Sequence, residues 1–122
     1  MELQLIEGDI QVTDKQTIVL PVSCDGRVES NIFHPILNRY PEMWAKLLNI
    51  CRGKLLTKGK LWLYHAHINR NVLAFPIRDS ILDDYRLEYV KAGLQKFVDT
   101  YQAKGITSCA FPILGQAQGV ET

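Results

Sequence analysis

A glycine-containing loop that follows an apolar run is the clearest place for chemistry in this sequence. Residues 107–111 are typical of a buried strand, and the chain then passes through Pro112 into the loop 114–119. Open α/β sheets bind ligands just beyond the carboxyl ends of their strands, and glycines there let backbone N–H groups approach an anion closely. Residues 72–77 end in the same Ala-Phe-Pro-Ile tetrapeptide. The two predicted strands therefore form one rim of a single cleft.

A cluster of charged residues follows the earlier of these strands. Arg78 is succeeded by Asp79, Asp83 and Asp84. The three carboxylates could hold a metal ion or activate a water molecule. Because a long helix is predicted to begin at residue 84, the favoured interpretation is that they cap its N-terminus.

Cysteine and histidine residues offer two further, weaker possibilities. Cys24 lies on the predicted rim and could act as a nucleophile beside a base, although a free cysteine more often packs as a small hydrophobe. His34, His65 and His67 could bind a metal, but they lack a ligand-spacing signature and a surface role is favoured.

The composition is that of one ordinary globular domain. The 122 residues fit a single domain, 1–122, and 14 basic against 13 acidic residues give a net charge of +1 without a basic run. No apolar stretch approaches the ~18 residues of a membrane span, and the N-terminus lacks a signal peptide's pattern. Three widely spaced cysteines fit reduced thiols. We therefore expect a cytoplasmic protein that has no membrane contact and no structural zinc.

The hydrophobic periodicity predicts alternating strands and helices. Leu87, Val90, Leu94 and Phe97 follow the 3.6-residue period of a helix, and Gly105 is a stop signal. Such an order is typical of an α/β fold with a mixed sheet covered on both faces. If the last strand were exposed, it would be an edge that invites pairing and hence a dimer. Strands are predicted at 3–6, 17–22, 60–65, 72–75 and from 107 onward, and helices at 31–40, 41–51 and 84–104.

Taken in order, these motifs resemble the macro domain family, which binds ADP-ribose, and especially the macrodomain antitoxins that remove ADP-ribose from DNA bases. Gly8-Asp9-Ile10 resembles the family's Gly-Asp-Ile/Leu, and Ala74-Phe75-Pro76-Ile77-Arg78 resembles its Asn-Phe-Pro-Thr-Lys. Phe111-Pro112-Ile113-Leu114-Gly115 resembles its Pro-x-Leu-Gly loop. The resemblance spans nearly the whole chain. It implies a three-layer α/β/α mixed sheet, here without the C-terminal helix that would follow the loop.

The resemblance also implies a role for individual residues. Asp9 would accept a hydrogen bond from the adenine amino group, and Ile10 would pack on the base. Considered alone, Asp9 also fits a turn residue and the loop 114–119 a surface turn. The implied distal-ribose residues are Ser23, Asp25 and Gly26, and the implied phosphate residues are Leu114, Gly115, Gln116, Ala117 and Gly119.

Three positions depart from the family pattern. Ser23 stands where the family has an asparagine that orients the distal ribose. Glu29 falls in the first loop, where its carboxylate would repel a diphosphate by on the order of 1 kcal/mol. Arg78 replaces a lysine of the DNA-directed branch, and because arginine keeps its proton it can stabilise charge but not act as a base.

The expected function is binding of ADP-ribose or a related nucleotide, without a metal or other cofactor. ADP-ribosylated nucleic acid or protein would be a further partner, and the oligomeric state is left open. One alternative is an ADP-ribosyl hydrolase in which Arg78 stabilises charge and Asp79 positions water. The other is a degenerate macro-like module that binds protein.

Overall fold

The computed structural model describes residues 1–29 and 33–114 of the chain. Five strands and three helices alternate in the order that the periodicity predicts. They are β1 (Glu2–Ile6), β2 (Thr17–Ser23), α1 (His34–Arg39), α2 (Pro41–Arg52), β3 (Trp62–His67), β4 (Arg70–Arg78), α3 (Leu87–Thr100) and β5 (Ser108–Pro112), with a 3-10 turn at Ile10–Val12 between β1 and β2.

The strands form one mixed sheet in the order β1-β5-β2-β4-β3. β1, β5, β2 and β4 are mutually parallel, and β3 pairs antiparallel to β4. Because parallel strands end at the same edge of a sheet, the carboxyl ends of these four strands share one rim. The prediction of a mixed sheet is confirmed.

The side chains of the central strands alternate between two cores. Ile18 and Leu20 of β2 pack toward α1 and α2, whereas Val19 packs toward α3 together with Leu73 and Phe75 of β4. This period-two alternation buries both faces of the sheet. The result is the three-layer α/β/α arrangement that the sequence predicts.

One close approach fixes α3 on the sheet. A Cβ at Gly93 would lie 2.4 Å from Cζ of Phe75. Only glycine allows this helix to lie so near β4.

Several predicted boundaries are wrong. β3 spans Trp62–His67 rather than 60–65, and α3 ends at Thr100 rather than at 104. α3 begins at Leu87 rather than at residue 84, and its N-cap residue Arg86 makes no side-chain capping bond. The aspartates before it therefore do not cap the helix. β4 continues through Pro76 to Arg78, next to an irregularity in its pairing with β2 between Val22 and Ser23, which is where a strand tolerates proline.

The last strand is not at an edge of the sheet. β5 lies between β1 and β2, and the edges are β1 and β3. Leu3 and Leu5 of β1 are 62% and 70% exposed, and with Leu94 and Val98 of α3 they line an apolar groove of about 810 Å³.

None of the helices in residues 1–29 and 33–114 is long and apolar enough to cross a membrane.

Candidate functional site

The sheet topology brings the sequence-predicted residues to one rim. The carboxyl ends of β1, β5, β2 and β4 lie side by side, in that order. Asp9 follows β1, Leu114 follows β5, Asp25 and Gly26 follow β2, and Asp79 follows β4. Residues far apart in the chain thus become neighbours along a line.

A gap opens in the middle of this rim. β2 and β5 pair only at Thr17 with Cys109 and at Ile18 with Ala110, although β2 continues to Ser23 and β5 to Pro112. The carboxyl ends of β2 and β5 are therefore not joined by pairing, unlike the other neighbours on this rim. Open α/β folds bind ligands in crevices outside the carboxyl ends of their strands.

The turn after β2 is tightly hydrogen-bonded. Ser23 is fully buried, and its backbone N–H and its hydroxyl both donate to the carbonyl of Arg27, at 2.8 and 3.1 Å. One carboxylate oxygen of Asp25 accepts from the amide of Arg27 at 3.2 Å, and the other accepts from the amide of Ile81 at 3.3 Å. Asp25 thus ties the β2 turn to the loop that follows β4.

Gly26 occupies a position that no other residue fits well. Its φ of +88° lies in the left-handed region, and a Cβ there would lie 3.0 Å from Cδ2 of Leu48 and 3.4 Å from Sγ of Cys51. The turn therefore rests directly on α2, which holds its backbone in place.

Arg78, the last residue of β4, and Glu29, in the loop after β2, form an ion pair. Nη2 of Arg78 donates to Oε2 of Glu29 at 2.9 Å, and Nη1 donates to the carbonyl of Asp83 at 3.0 Å. The Arg78 side chain is 2% exposed and that of Glu29 is 30% exposed. Glu29 therefore does not stand as an uncompensated charge against a diphosphate, which removes most of the repulsion expected from sequence.

One N–H donor of the Arg78 guanidinium is unpartnered among the described residues. This donor is Nε, which is buried. An unpartnered buried N–H costs on the order of 1–3 kcal/mol. A ligand oxygen that reached this atom would recover that energy.

Of the three aspartates after Arg78, Asp79 and Asp83 make separate contacts and Asp84 is exposed. Asp79 is exposed and accepts a hydrogen bond from the hydroxyl of Tyr89, which raises the pKa of Tyr89 to about 12. Asp83 accepts from the amide of Ser80 at 3.2 Å. The carboxylates do not converge, and no group of metal-binding side chains forms within residues 1–29 and 33–114.

The other end of the rim is more open. Asp9 is exposed and accepts from the amide of Gln11 at 2.9 Å, as the cap of the 3-10 turn. Ile10 is only 2% exposed and belongs to the core beside α1 and α2. Both interpretations of Asp9 remain compatible, since a carboxylate that caps a turn through one oxygen can accept from a ligand through the other. Gly115, Gln116, Ala117 and Gly119 lie outside the described residues.

Cys24 is not set up as a nucleophile. Burial, followed by the nearby charge of Asp79, raises the pKa of its thiol to about 11, so the reactive thiolate is scarce at neutral pH. The histidines are also apart: His65 contacts Asn71 through Nδ1 at 2.8 Å, His34 packs on Trp44 and His67 on Tyr40.

The pairing of Glu29 with Arg78 was not predicted from the sequence, where each residue stood only as a separate departure from the family pattern. The signal was present in their opposite charges, but the two residues are 49 positions apart, and only the fold brings them together.

Solved structures identify the fold. The chain superposes on the macrodomain of Mycobacterium tuberculosis DarG with a TM-score of 0.87 at 25% identity, covering 98% of this chain and 81% of that one. The fold is that of a macrodomain. Thermosipho africanus DarTG in complex with ADP-ribose matches with a TM-score of 0.83 at 26% identity, over 98% of this chain and 35% of that one.

Sequence comparison agrees with this macrodomain likeness. The DNA ADP-ribosyl glycohydrolase of Mycobacterium tuberculosis is 27% identical over 115 residues, which are 92% of this chain and 33% of that protein. The Thermosipho africanus DNA ADP-ribosyl transferase-DNA ADP-ribosyl glycohydrolase fusion protein is 24% identical over 135 residues, or 96% of this chain and 35% of that protein. The chain thus spans about a third of these relatives. No protein-family model matches it.

Proposed function

We propose that this macrodomain binds ADP-ribose, or a larger molecule that carries it, along the carboxyl rim of the sheet. The proposal is supported by the sheet order, which puts Asp9, Asp25, Gly26 and Leu114 just after strands that end on one rim, and by the short pairing of β2 with β5. From β1 to β4 the rim spans three strand spacings, about 14 Å, which suits an elongated ligand. The similar Thermosipho africanus structure holds ADP-ribose.

The ligand would lie with its adenine at β1 and its distal ribose between β2 and β4. The exposed carboxylate of Asp9 reads the amino group of the base, and the loop after β5 supplies backbone N–H groups to the diphosphate. The ion pair of Arg78, at the end of β4, and Glu29, after β2, would lie at the distal end. The proposed contact residues are Asp9, Ile10, Ser23, Asp25, Gly26, Leu114, Gly115, Gln116, Ala117 and Gly119. Because the side chains of Ile10 and Ser23 are buried, these two would act through the backbone turns that they form rather than through side-chain contact.

Calorimetric titration with ADP-ribose, with AMP as the comparison ligand, tests this proposal. We expect micromolar binding to the wild type and at least tenfold weaker binding to Asp9→Ala. Asp14→Ala is the matched control, because the Asp14 side chain is 91% exposed and lies away from the rim. A well-folded wild type that gives no heat with ADP-ribose overturns the proposal and favours a protein-binding module.

Hydrolysis of an ADP-ribosylated DNA base is the second candidate function, and the Arg78–Glu29 pair favours it. In such a reaction water attacks the anomeric carbon of the distal ribose as the bond to the base breaks, and the departing base keeps the bonding electron pair and takes up a proton from solvent. The carboxylate of Glu29 would take the proton from that water and stabilise positive charge on the ribose. Arg78 would hold Glu29 in position, and Asp79 would orient the water.

Release of ADP-ribose from a modified DNA oligonucleotide tests the second candidate. We expect Glu29→Gln to lower the rate at least 100-fold while ADP-ribose binding persists, and the exposed Asp84→Asn to leave the rate unchanged. Tight binding without any release by the wild type would restrict the function to binding.

We further propose a cytoplasmic setting, where Cys24, Cys51 and Cys109, free in the structure, would remain reduced.

A further inference from the structure

A second cavity opens beside the predicted position of the distal ribose. It has a volume of about 420 Å³, and its lining includes Gly26, Val28, Glu29, His34, Trp44 and Ile81. We call this cavity the side pocket. It shares walls with the candidate site, because Gly26 lies in the turn after β2 and Glu29 holds Arg78.

The walls of the side pocket suit a flat ring. The rings of His34 and Trp44 meet edge to face, with centroids 5.0 Å apart, and both side chains are half-buried. Val28 and Leu37 add an aliphatic floor that is almost fully buried. Aromatic and aliphatic walls with a few polar groups are typical of sites for planar ligands.

Polar groups stand at the mouth of the side pocket. The carboxylate of Glu29 is 30% exposed and can accept a hydrogen bond, and the exposed side chain of Arg27 can donate. A planar ring with donors and acceptors on its edge matches this pattern. The positive charge of Arg27 also suits a neighbouring phosphodiester.

We propose that the side pocket holds the nucleobase to which a substrate's ADP-ribose is linked. The inference rests on the proposed binding of ADP-ribose along the rim. Free ADP-ribose ends at its distal ribose, so any group attached there must continue past Gly26 and Glu29, where the side pocket begins. A linear amino-acid side chain has no flat face to place against Trp44, whereas a base does.

Tryptophan fluorescence reads occupancy of the side pocket directly. The chain has two tryptophans, so Trp62→Phe leaves Trp44 as the only tryptophan, and excitation at the red edge of its absorption avoids the tyrosines. Titration of this variant with a short single-stranded DNA that carries ADP-ribose on one base should quench Trp44 at least twofold. ADP-ribose alone should bind and leave the emission nearly unchanged.

Calorimetry with side-pocket variants measures the contribution to binding. Trp44→Ala and His34→Ala should each weaken the ADP-ribosylated oligonucleotide at least tenfold and leave free ADP-ribose within twofold. Trp62→Ala, at the far edge of the sheet, is the matched control and should change neither. Thermal melting identifies a variant that fails to fold, in which case the other variant and the fluorescence titration decide.

The outcomes separate this inference from the proposed function. If the wild type does not bind ADP-ribose at all, both are overturned. If ADP-ribose binds but the side-pocket variants weaken both ligands equally, or leave both unchanged, only the side-pocket proposal is overturned. An ADP-ribosylated peptide that binds as tightly as the oligonucleotide and depends equally on Trp44 would also overturn it.

Discussion

The two ends of the rim are built differently. At the end formed by β2 and β4, the turn residue Asp25 bridges two loops and Arg78 is buried against Glu29. At the end formed by β1, Asp9 is exposed and makes one local bond to Gln11. The β2 and β4 end, where we propose that bond cleavage would occur, is thus held by hydrogen bonds and an ion pair before any ligand arrives, and we call it the rigid end. The β1 end, which we propose binds adenine, is exposed, and we call it the open end. Preorganisation matters most where charge develops in a reaction.

Loss of the buried cation should be the most damaging change at the rigid end. Arg78→Ala leaves the Glu29 carboxylate and the Asp83 carbonyl without their donor. We expect the free energy of unfolding to fall by about 3 kcal/mol, the lower end of the range for broken buried pairs because solvent reaches Glu29. Urea unfolding measures this. Arg86→Ala, whose guanidinium is half exposed, should cost under about 0.5 kcal/mol, and equal losses would contradict the comparison.

Gly8, after β1, and Gly26, after β2, have nearly the same backbone conformation. Substitution at each of them therefore compares the two ends of the rim. Gly8 has φ +87° and no described atom beyond its chain neighbours within 4 Å of where a Cβ would lie, whereas Gly26 has φ +88° with Leu48 at 3.0 Å. Alanine should cost about 1 kcal/mol at Gly8, from backbone strain alone, and about 2 kcal/mol at Gly26, where a steric clash is added. Thermal unfolding of the two variants tests the difference, and a larger loss at Gly8 would show that the open end is the more constrained one.

Neutralising Glu29 tests how charge at the β2 and β4 end of the rim affects ligand binding. Glu29→Gln keeps an acceptor for Arg78 but leaves the positive charge of Arg78 uncompensated, so that a net cation lies near the proposed position of the diphosphate. We expect ADP-ribose to bind about fivefold more tightly, corresponding to roughly 1 kcal/mol. Calorimetry measures the change, with the exposed Glu88→Gln as control. Weaker binding would instead mean that Glu29 contacts the ligand directly.

The smallest effect is expected at Cys24. Its thiol has a pKa of about 11, raised chiefly by burial from an ordinary value of 9.0, so Cys24→Ser should leave ADP-ribose binding unchanged at neutral pH. Between pH 9 and 11 the unfolded chain loses a proton that the folded chain keeps, so stability falls as pH rises through that window. Melting temperatures from pH 8 to 11 should fall less steeply in Cys24→Ser. An identical slope would mean that this thiol is not linked to folding.

The order of elements could be predicted from the sequence, but several of their boundaries could not. The periodicity of α3 depends on its own residues, whereas its first turn was misassigned because aspartates are common caps and those here bond elsewhere. β4 was predicted too short, because proline usually ends a strand and here it lies beside a bulge. Sheet order depends on pairing between residues distant in the chain, so no local sequence pattern indicates that β5 lies between β1 and β2.

The amino-acid sequence alone indicates which residues follow each strand and therefore which of them could meet at a carboxyl rim. Local periodicity and turn chemistry encode such information, since they act over a few residues. The fold is needed to show that Glu29 neutralises Arg78, that Asp25 bridges two loops, and that a side pocket lies beside Gly26. Each of these depends on burial and on contacts between residues distant in the chain, and burial sets both the strength of charge pairs and the space left for a ligand.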